Sequence, residues 1–250
     1  MRTDRLRALE AYIQEHKSAT MTDLAQHFQV SFNTVRRDVK ELLRSGSVAK
    51  VYGGIVWNQD DNIVPFSARS SAAIEEKQHI GRLAAELVCD GDTVYLDSGT
   101  TAVCVLPFIT ERKNLVIISN SLLVYQEIQK HPAMNLISVG GLFSHKTRSF
   151  VGMSAVNGLN NFSIGKAFMS ATGVSLEAGA SNNSLHEAEI KRAVIGRAGQ
   201  VILLADLGKL EHAAAISFCP LTRVDTLICN CQPPEKYISF CQQHGIDLRY

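Results

Sequence analysis

The sequence predicts an α/β protein in two parts: a small helical unit closed by a short β-ribbon, then a larger domain built on a mainly parallel sheet. Three observations carry this expectation. Apolar residues recur at helical spacing early in the chain, β-branched runs alternate with helical patterns from Asp92 onward, and a polar, turn-rich stretch separates the two. A chain of 250 residues is long enough for a small and a medium core, and the composition supports folding throughout: 46% hydrophobic and 20% charged, which is ordinary for a globular protein.

The first helix is predicted over residues 3–16, where Leu6, Leu9 and Ile13 share one face with Ala8 and Tyr12 nearby, while Arg5, Arg7, Glu10 and Glu15 lie mostly on the other. Lys17-Ser18-Ala19 breaks it. A second helix is expected over 22–28, capped by Thr22, with Leu24, Ala25 and Phe28 as its apolar stripe. After a tight break at Gln29-Val30, Ser31 is placed to cap a third helix from Phe32 to Leu43 or Arg44, with Val35, Val39, Leu42 and Leu43 inward. Ser45-Gly46 stops it, and residues 47–56 read as a two-stranded wing.

Helix, helix, tight turn, helix and wing describe a winged helix-turn-helix, placing the third helix in a DNA major groove. Candidate DNA-contacting residues are Ser31, Asn33, Thr34, Arg36 and Arg37 on that helix, with Lys50 and Tyr52 of the wing along the backbone. Asn and Arg suit the task because each makes paired hydrogen bonds to a purine edge and Arg neutralises phosphate. Charge distribution agrees: nine Lys/Arg stand against six Asp/Glu through Trp57, but sixteen against eighteen beyond it. A three-helix protein-interaction module with Arg36-Arg37 as a solvated face is the competing reading, and the agreement of caps, helix lengths, glycine stop and wing weighs against it.

The run Val30-Ser31-Phe32-Asn33-Thr34-Val35-Arg36-Arg37-Asp38-Val39, followed by Gly46 and Tyr52-Gly53-Gly54, resembles the DNA-reading signature of the DeoR family of bacterial sugar-metabolism repressors. The resemblance continues through nearly the whole chain.

A connector is placed at 58–73, where Asn58-Gln59-Asp60-Asp61-Asn62 and Pro65 are turn-forming, leaving 1–57 as the DNA-binding unit and 74–250 as the α/β domain. That domain opens with a predicted helix over 74–89, carrying Ile74, Ile80, Leu83, Ala84 and Leu87. Strands are expected at 93–97, 115–119, 135–139, 166–170, 200–205 and 226–230. In parallel α/β sheets ligands collect beyond the carboxyl ends of strands near a topological switch point, so the loops after these strands are the candidate binding loops.

Asp97-Ser98-Gly99-Thr100-Thr101 follows the first of these strands and precedes a helix expected near Ala102, so free N–H groups and hydroxyls can converge on an anion. Ser119-Asn120-Ser121 repeats the logic after the second strand, and Gly140-Gly141 leaves room for close backbone approach after the third. On a helix predicted over 185–198, Glu187 and Lys191 stand four apart, the spacing of a surface ion pair, which makes Lys209 the better candidate for a ligand charge. The family resemblance implies that these loops bind a phosphorylated sugar effector in a domain similar to the ribose-phosphate isomerase fold. Ser119 stands where the family has threonine, and Leu207-Gly208-Lys209 is a residue longer than the family's serine-lysine. His145, His186 and His212 fall near the same mouth and are read as solvent-facing rather than as acid–base groups, contact with the sugar hydroxyls being the alternative.

No cofactor and no metal are expected: the six cysteines form no C-x-x-C pair, and Cys229-Asn230-Cys231 reads as two buryable residues at a strand end. The longest apolar stretches, 115–118 and 201–205, are far short of the roughly 20 residues a membrane span needs, and the N-terminus has no apolar signal region, so a cytoplasmic protein is expected. The leading function is ligand-controlled repression by a homo-oligomer on paired operator half-sites. Two alternatives are a sugar-phosphate isomerase-like enzyme with a DNA-binding extension, using Asp97, Glu187, Glu189 or Asp206 as base, and a scaffold whose second domain only oligomerises.

Overall fold

The structure, a computed structural model, describes residues 2–16, 18–45, 48–51, 54–57 and 73–250. The chain divides into two compact units, residues 1–65 and 66–250. The expected connector therefore lies outside the described residues except for Ala73, as do Tyr52, Gly46 and Gly53.

The first unit runs α1 (Arg2–His16), β1 (Ser18–Ala19), α2 (Met21–His27), α3 (Phe32–Ser45), β2 (Val48–Val51) and β3 (Gly54–Trp57). Leu9, Ile13, Leu24, Val35, Val39 and Leu42 face inward and bury one another together with Val48 and Ile55 of the ribbon. Thr20 caps α2 rather than Thr22. Its Oγ1 accepts from the Asp23 N–H at 3.1 Å while the Asp23 carboxylate accepts from the Thr20 N–H at 3.1 Å. The reciprocal pair needs an acceptor side chain three residues after the capping hydroxyl, and Thr22 is followed at that spacing by Ala25. Ser31 caps α3 as expected, accepting from the Thr34 N–H at 3.2 Å.

The ribbon is also larger than the expected two strands. β1 pairs with β3, so the sheet is three-stranded in the order β1-β3-β2, with Ala19 opposite Ile55. The segment that ends α1 thus fastens the wing to the helices. A second fastener joins the helices: Asp38 of α3 is 1% exposed, and its carboxylate accepts from the Arg5 guanidinium of α1 at 2.7 Å.

The second unit contains α4 (Ile74–Ala85), β4 (Thr93–Leu96), a 3-10 helix (Ala102–Phe108), β5 (Val116–Ser119), α5 (Leu122–Ile128), β6 (Asn135–Ser138), β7 (Leu142–Ser144), β8 (Ser149–Val151), α6 (Met153–Leu159) and β9 (Ile164–Ser170). It continues with β10 (Gly173–Ser175), β11 (Gly179–Asn182), α7 (Leu185–Ile195), β12 (Ala198–Leu204), β13 (Ile216–Cys219), β14 (Thr226–Ile228), α8 (Glu235–His244) and β15 (Asp247–Arg249). Seven strands form one parallel sheet in the order β15-β14-β12-β9-β4-β5-β6. All six strands expected from sequence are in it; β15 at the edge is the addition.

Alternation along the strands divides the core between two faces. Val94, Leu96, Ile117, Phe168, Ile202 and Leu204 point to the face covered by α4, the 3-10 helix and α5. Tyr95, Ile118, Ala167, Met169, Val201 and Leu203 point to the face covered by α6, α7 and α8. Two predicted helices are shorter than expected, α4 ending at Ala85 and α7 at Ile195. Gly196 is the C-cap of α7, and the chain at Ala198 already belongs to β12. Among the described residues no helix is long and apolar enough to cross a membrane.

The strand order sets the position of the site. From β4 the chain winds outward through β5 and β6, then returns to the other side of β4 as β9 and winds outward through β12, β14 and β15. The order reverses between β4 and β9, the kind of switch point beyond whose strand ends parallel α/β sheets commonly take ligands.

Candidate functional site

Asp97, the residue after β4, and Ser170, the last of β9, meet at that switch point. Asp97 Oδ2 accepts from the Ser170 N–H and the Gly99 N–H, each at 3.2 Å, and from Lys191 Nζ at 2.5 Å. Lys191 Nζ also donates to the Ser170 carbonyl at 2.8 Å and lies 5.1 Å from the centre of the Phe218 ring. Glu187, one turn back on α7, accepts from Ser98 Oγ at 3.2 Å and from Asn182 Nδ2 at 3.1 Å. Four elements thus deliver charged and polar side chains to one place: the loop after β4, the ends of β9 and β11, and α7.

This corrects the surface reading of Glu187 and Lys191. They are 8% and 2% exposed. Helical spacing alone makes them neighbours on a helix face, but that face is pressed against the sheet at its switch point. Three buried atoms of the cluster, Asp97 Oδ1, Ser170 Oγ and Asn182 Oδ1, have no hydrogen-bond partner among the described residues. Such atoms are rare in folded proteins because each carries a desolvation cost, which sets this cluster apart from the other buried polar groups described. Gly99 is required here. A Cβ on it would lie 2.4 Å from Ser170 Cβ, so only glycine lets the loop pass β9.

The outer part of the loop offers hydroxyls and a second cation. Thr100 and Thr101 are buried, and Lys209 Nζ lies 3.5 Å from Thr101 Oγ1 and 3.5 Å from Asp206 Oδ2. Lys209, in the 3-10 turn Leu207–Lys209, therefore does reach the 97–101 loop, with its side chain 21% exposed. The helix expected after this loop is a 3-10 helix of seven residues. Beside it stands Lys77 of α4, only 4% exposed, a buried cation sequence reasoning passed over. Burial pushes the nearby Cys104 thiol up, and the Lys77 charge works against that shift.

The remaining sequence candidates are engaged differently. Ser119 Oγ donates to the Leu96 carbonyl at 2.7 Å, Asn120 accepts from Tyr95 OH at 2.7 Å and donates to the Phe150 carbonyl at 2.9 Å, and Ser121 caps α5. These side chains tie β4, β5 and the β7–β8 hairpin together beside the switch point. Tyr95 is wholly buried, and burial next to Asp97 pushes its phenol well up; burial pushes Tyr125, which donates to the Ser119 carbonyl, up to about 12. At Gly141 φ is +142° and a Cβ would meet the Val151 carbonyl at 2.6 Å, so the close approach there is to the chain's own hairpin, while Gly140 faces open space. His145, His186 and His212 are exposed, and His186 lies 3.5 Å from Glu189. Cys229 is buried and Cys231 exposed.

In the first unit the candidate DNA face is α3. Ser31, Asn33, Arg36 and Arg37 are exposed and Thr34 is partly so, while Val35, Asp38 and Val39 face the core. The first turn of α3 carries no acidic residue to repel phosphate. Lys50 lies on β2, its side chain outside the described residues, as is Tyr52.

A winged helix-turn-helix joined to a parallel α/β unit with a buried polar cluster at its switch point is the build of a ligand-responsive transcriptional regulator. Comparison with known proteins specifies which kind. A model of the DeoR-like helix-turn-helix domain matches residues 5–61, and a model of the DeoR C-terminal sensor domain matches residues 72–230. The chain belongs to the DeoR family of DNA-binding transcriptional regulators. It is 36% identical to the HTH-type transcriptional regulator IolR of Bacillus subtilis, over 99% of both chains. It is 29% identical to the repressor GlcR of the same organism, covering 98% of this chain and 95% of that one. The glycerol-3-phosphate regulon repressor of Escherichia coli is 25% identical over 98% of each. These relatives are named as regulators, not enzymes. Among solved structures, a ribose-5-phosphate isomerase in complex with phospho-erythronic acid is similar over 55% of this chain and 54% of that one, with 17% identity and a TM-score of 0.42.

Proposed function

We propose that the protein is a cytoplasmic repressor of a carbohydrate-utilisation operon, released from its operator by a phosphorylated sugar bound at the switch point between β4 and β9. The observation that carries this reading is that three buried atoms without a hydrogen-bond partner among the described residues belong to Asp97, Ser170 and Asn182, which Lys191 and Glu187 tie together beside a hydroxyl-rich loop and Lys209. Asp97 Oδ1, Ser170 Oγ and Asn182 Oδ1 suit the hydroxyls of a polyol. The hydroxyl-rich outer turn of the loop, Thr100 and Thr101, with Lys209 beside it, suits a phosphate, while Ser98 and Gly99 hold the loop through Glu187 and Asp97. The names of the relatives point the same way, one being the repressor of a regulon for a phosphorylated polyol. Ser119, Asn120, Ser121, Gly140 and Gly141 frame the site in this reading. Ser31 at the cap of α3 and Asn33, Thr34, Arg36 and Arg37 within it, with Lys50 and Tyr52, hold the operator.

The division of labour is 1–57 for DNA, 58–73 as connector and 74–250 for the effector. Two copies on paired half-sites supply the contacts one small unit lacks, so the working species is a homo-oligomer. The test is a thermal-shift screen of the full chain against sugar phosphates and their unphosphorylated parents, since a ligand of the native state raises the melting point by mass action. A shift with one phosphorylated sugar, absent with its parent and lost in Lys209→Ala, is expected. No shift across a broad panel sinks the sensor reading in favour of a second unit that only assembles the oligomer.

A further inference from the structure

We infer that Phe32 reads DNA sequence, its ring making apolar contact with the C5-methyl of a thymine in the major groove of the site this chain binds. Phe32 is the first residue of α3 and stays 52% exposed, whereas the inward stripe Val35, Val39 and Leu42 of the same helix is at most 5% exposed. A single exposed apolar side chain is unremarkable on most surfaces. Here its place gives it meaning, because the N-terminal turn of the second helix of a helix-turn-helix is the part that meets base edges.

The neighbours narrow the choice. The Ser31 and Thr34 hydroxyls lie 2.9 Å apart and bond to each other, and Ser31 Oγ also takes the Thr34 N–H at 3.2 Å. The cap is held by these bonds, which leaves Phe32 and Asn33 as the exposed side chains that open the helix. Asn33 can pair with a purine edge. A phenyl ring has neither donor nor acceptor, so of the features a base pair shows in the major groove, the thymine methyl is the one it can recognise. Arg36 and Arg37 in the following turn supply sequence-independent attraction to phosphate. The inference rests on membership of a DNA-binding family and is independent of the effector reading.

The test begins by selecting binding sites from a pool of duplexes with a randomised core, using the full-length wild-type chain. Each thymine of the enriched duplex is then replaced singly by deoxyuridine, and affinity is measured by fluorescence anisotropy for wild type, Phe32→Ala and Phe32→Leu. Wild type is expected to lose about fourfold in affinity when the methyl under Phe32 is removed, the worth of one buried methyl group. Phe32→Ala should bind the thymine and deoxyuridine duplexes equally, and Phe32→Leu should keep part of the discrimination. As an exposed position, its alanine variant should melt with the wild type. Tolerance of deoxyuridine at every thymine by wild type, or an unchanged sensitivity in Phe32→Ala, overturns the inference. Failure of wild type to enrich any sequence overturns it together with the DNA-binding role itself.

Discussion

Replacing Lys191 with methionine is expected to destabilise the α/β unit by about 3–5 kcal/mol, the cost of leaving one partner of a buried ion pair without the other. The geometry puts the pair in that class: the two side chains are 3% and 1% exposed, and Nζ lies 2.5 Å from Asp97 Oδ2. Methionine keeps the aliphatic stem, so the change is close to the loss of the ammonium alone. Asp97 Oδ2 would then hold only the N–H groups of Gly99 and Ser170, and the Ser170 carbonyl would lose a charged donor. Asp97→Asn creates the converse defect. The double variant buries no net charge at this pair and should be less destabilised than the sum of the singles, with a coupling of about 1–3 kcal/mol. Urea unfolding of the full chain by far-UV circular dichroism measures the three variants, and amide exchange in β4 and β9 localises the loss. Single variants within about 0.5 kcal/mol of wild type, or strict additivity, would refute the reasoning.

Other expectations concern the first unit. Thr20→Ala removes half of the capping box and should cost about 1 kcal/mol in a chemical melt. Its partner Asp23 has its carboxyl held below the ordinary value by the Thr20 hydrogen bonds. That contribution is present above the unfolded carboxyl value and lost as pH falls through the folded one, so the Thr20→Ala deficit should narrow on acidification in a pH series of melts. Gln29 sits in the turn before α3 with φ +51°, a conformation glycine adopts without strain. Gln29→Gly should therefore raise stability by up to about 1 kcal/mol and the melting point with it. Asp38→Ala leaves Arg5 without its partner across α1 and α3 and should cost about 1–3 kcal/mol, with weaker binding to a selected duplex. Arg36→Ala with Arg37→Ala should abolish duplex binding yet leave the ligand-induced thermal shift intact.

What the sequence made legible was decided by whether a signal is local. β4, β5, β9, β12 and β14 each carry a short apolar run that is mostly buried on both faces, so they announce themselves. β10 and β11 carry Gly173, Gly179, Ser181 and Asn182, poor strand formers, and become strands through pairing with each other and with the distant β13. β15 is polar and held at the sheet edge by its partner β14. β1 has two residues, too few for any periodic signal.

The site divides in the same manner. The loop of Asp97 to Thr101 stands out in the sequence because hydroxyl and glycine residues follow a predicted strand, a pattern ordinary turns share, and the structure packs it against Ser170 and Lys191. Lys191 was not, since its partner Asp97 is 94 positions away and its own neighbourhood shows only the spacing of a surface pair. Lys77 was hidden likewise, lying on a helix whose first turn is otherwise charged and exposed. Thr20 was readable in principle: an acid three residues after a threonine is a stronger cap signal than a threonine alone.

Control of the hold on DNA by a phosphorylated sugar bound between β4 and β9 is the core of the proposed function. Its most direct test is release of a fluorescent duplex, selected in vitro by the wild-type chain, as sugar phosphates and their unphosphorylated parents are titrated into the preformed complex. One phosphorylated sugar is expected to release the duplex while its parent does not, and Lys209→Ala is expected to bind the duplex normally but to ignore that sugar. Release by no member of the panel, or equal release from wild type and Lys209→Ala, would contradict the account.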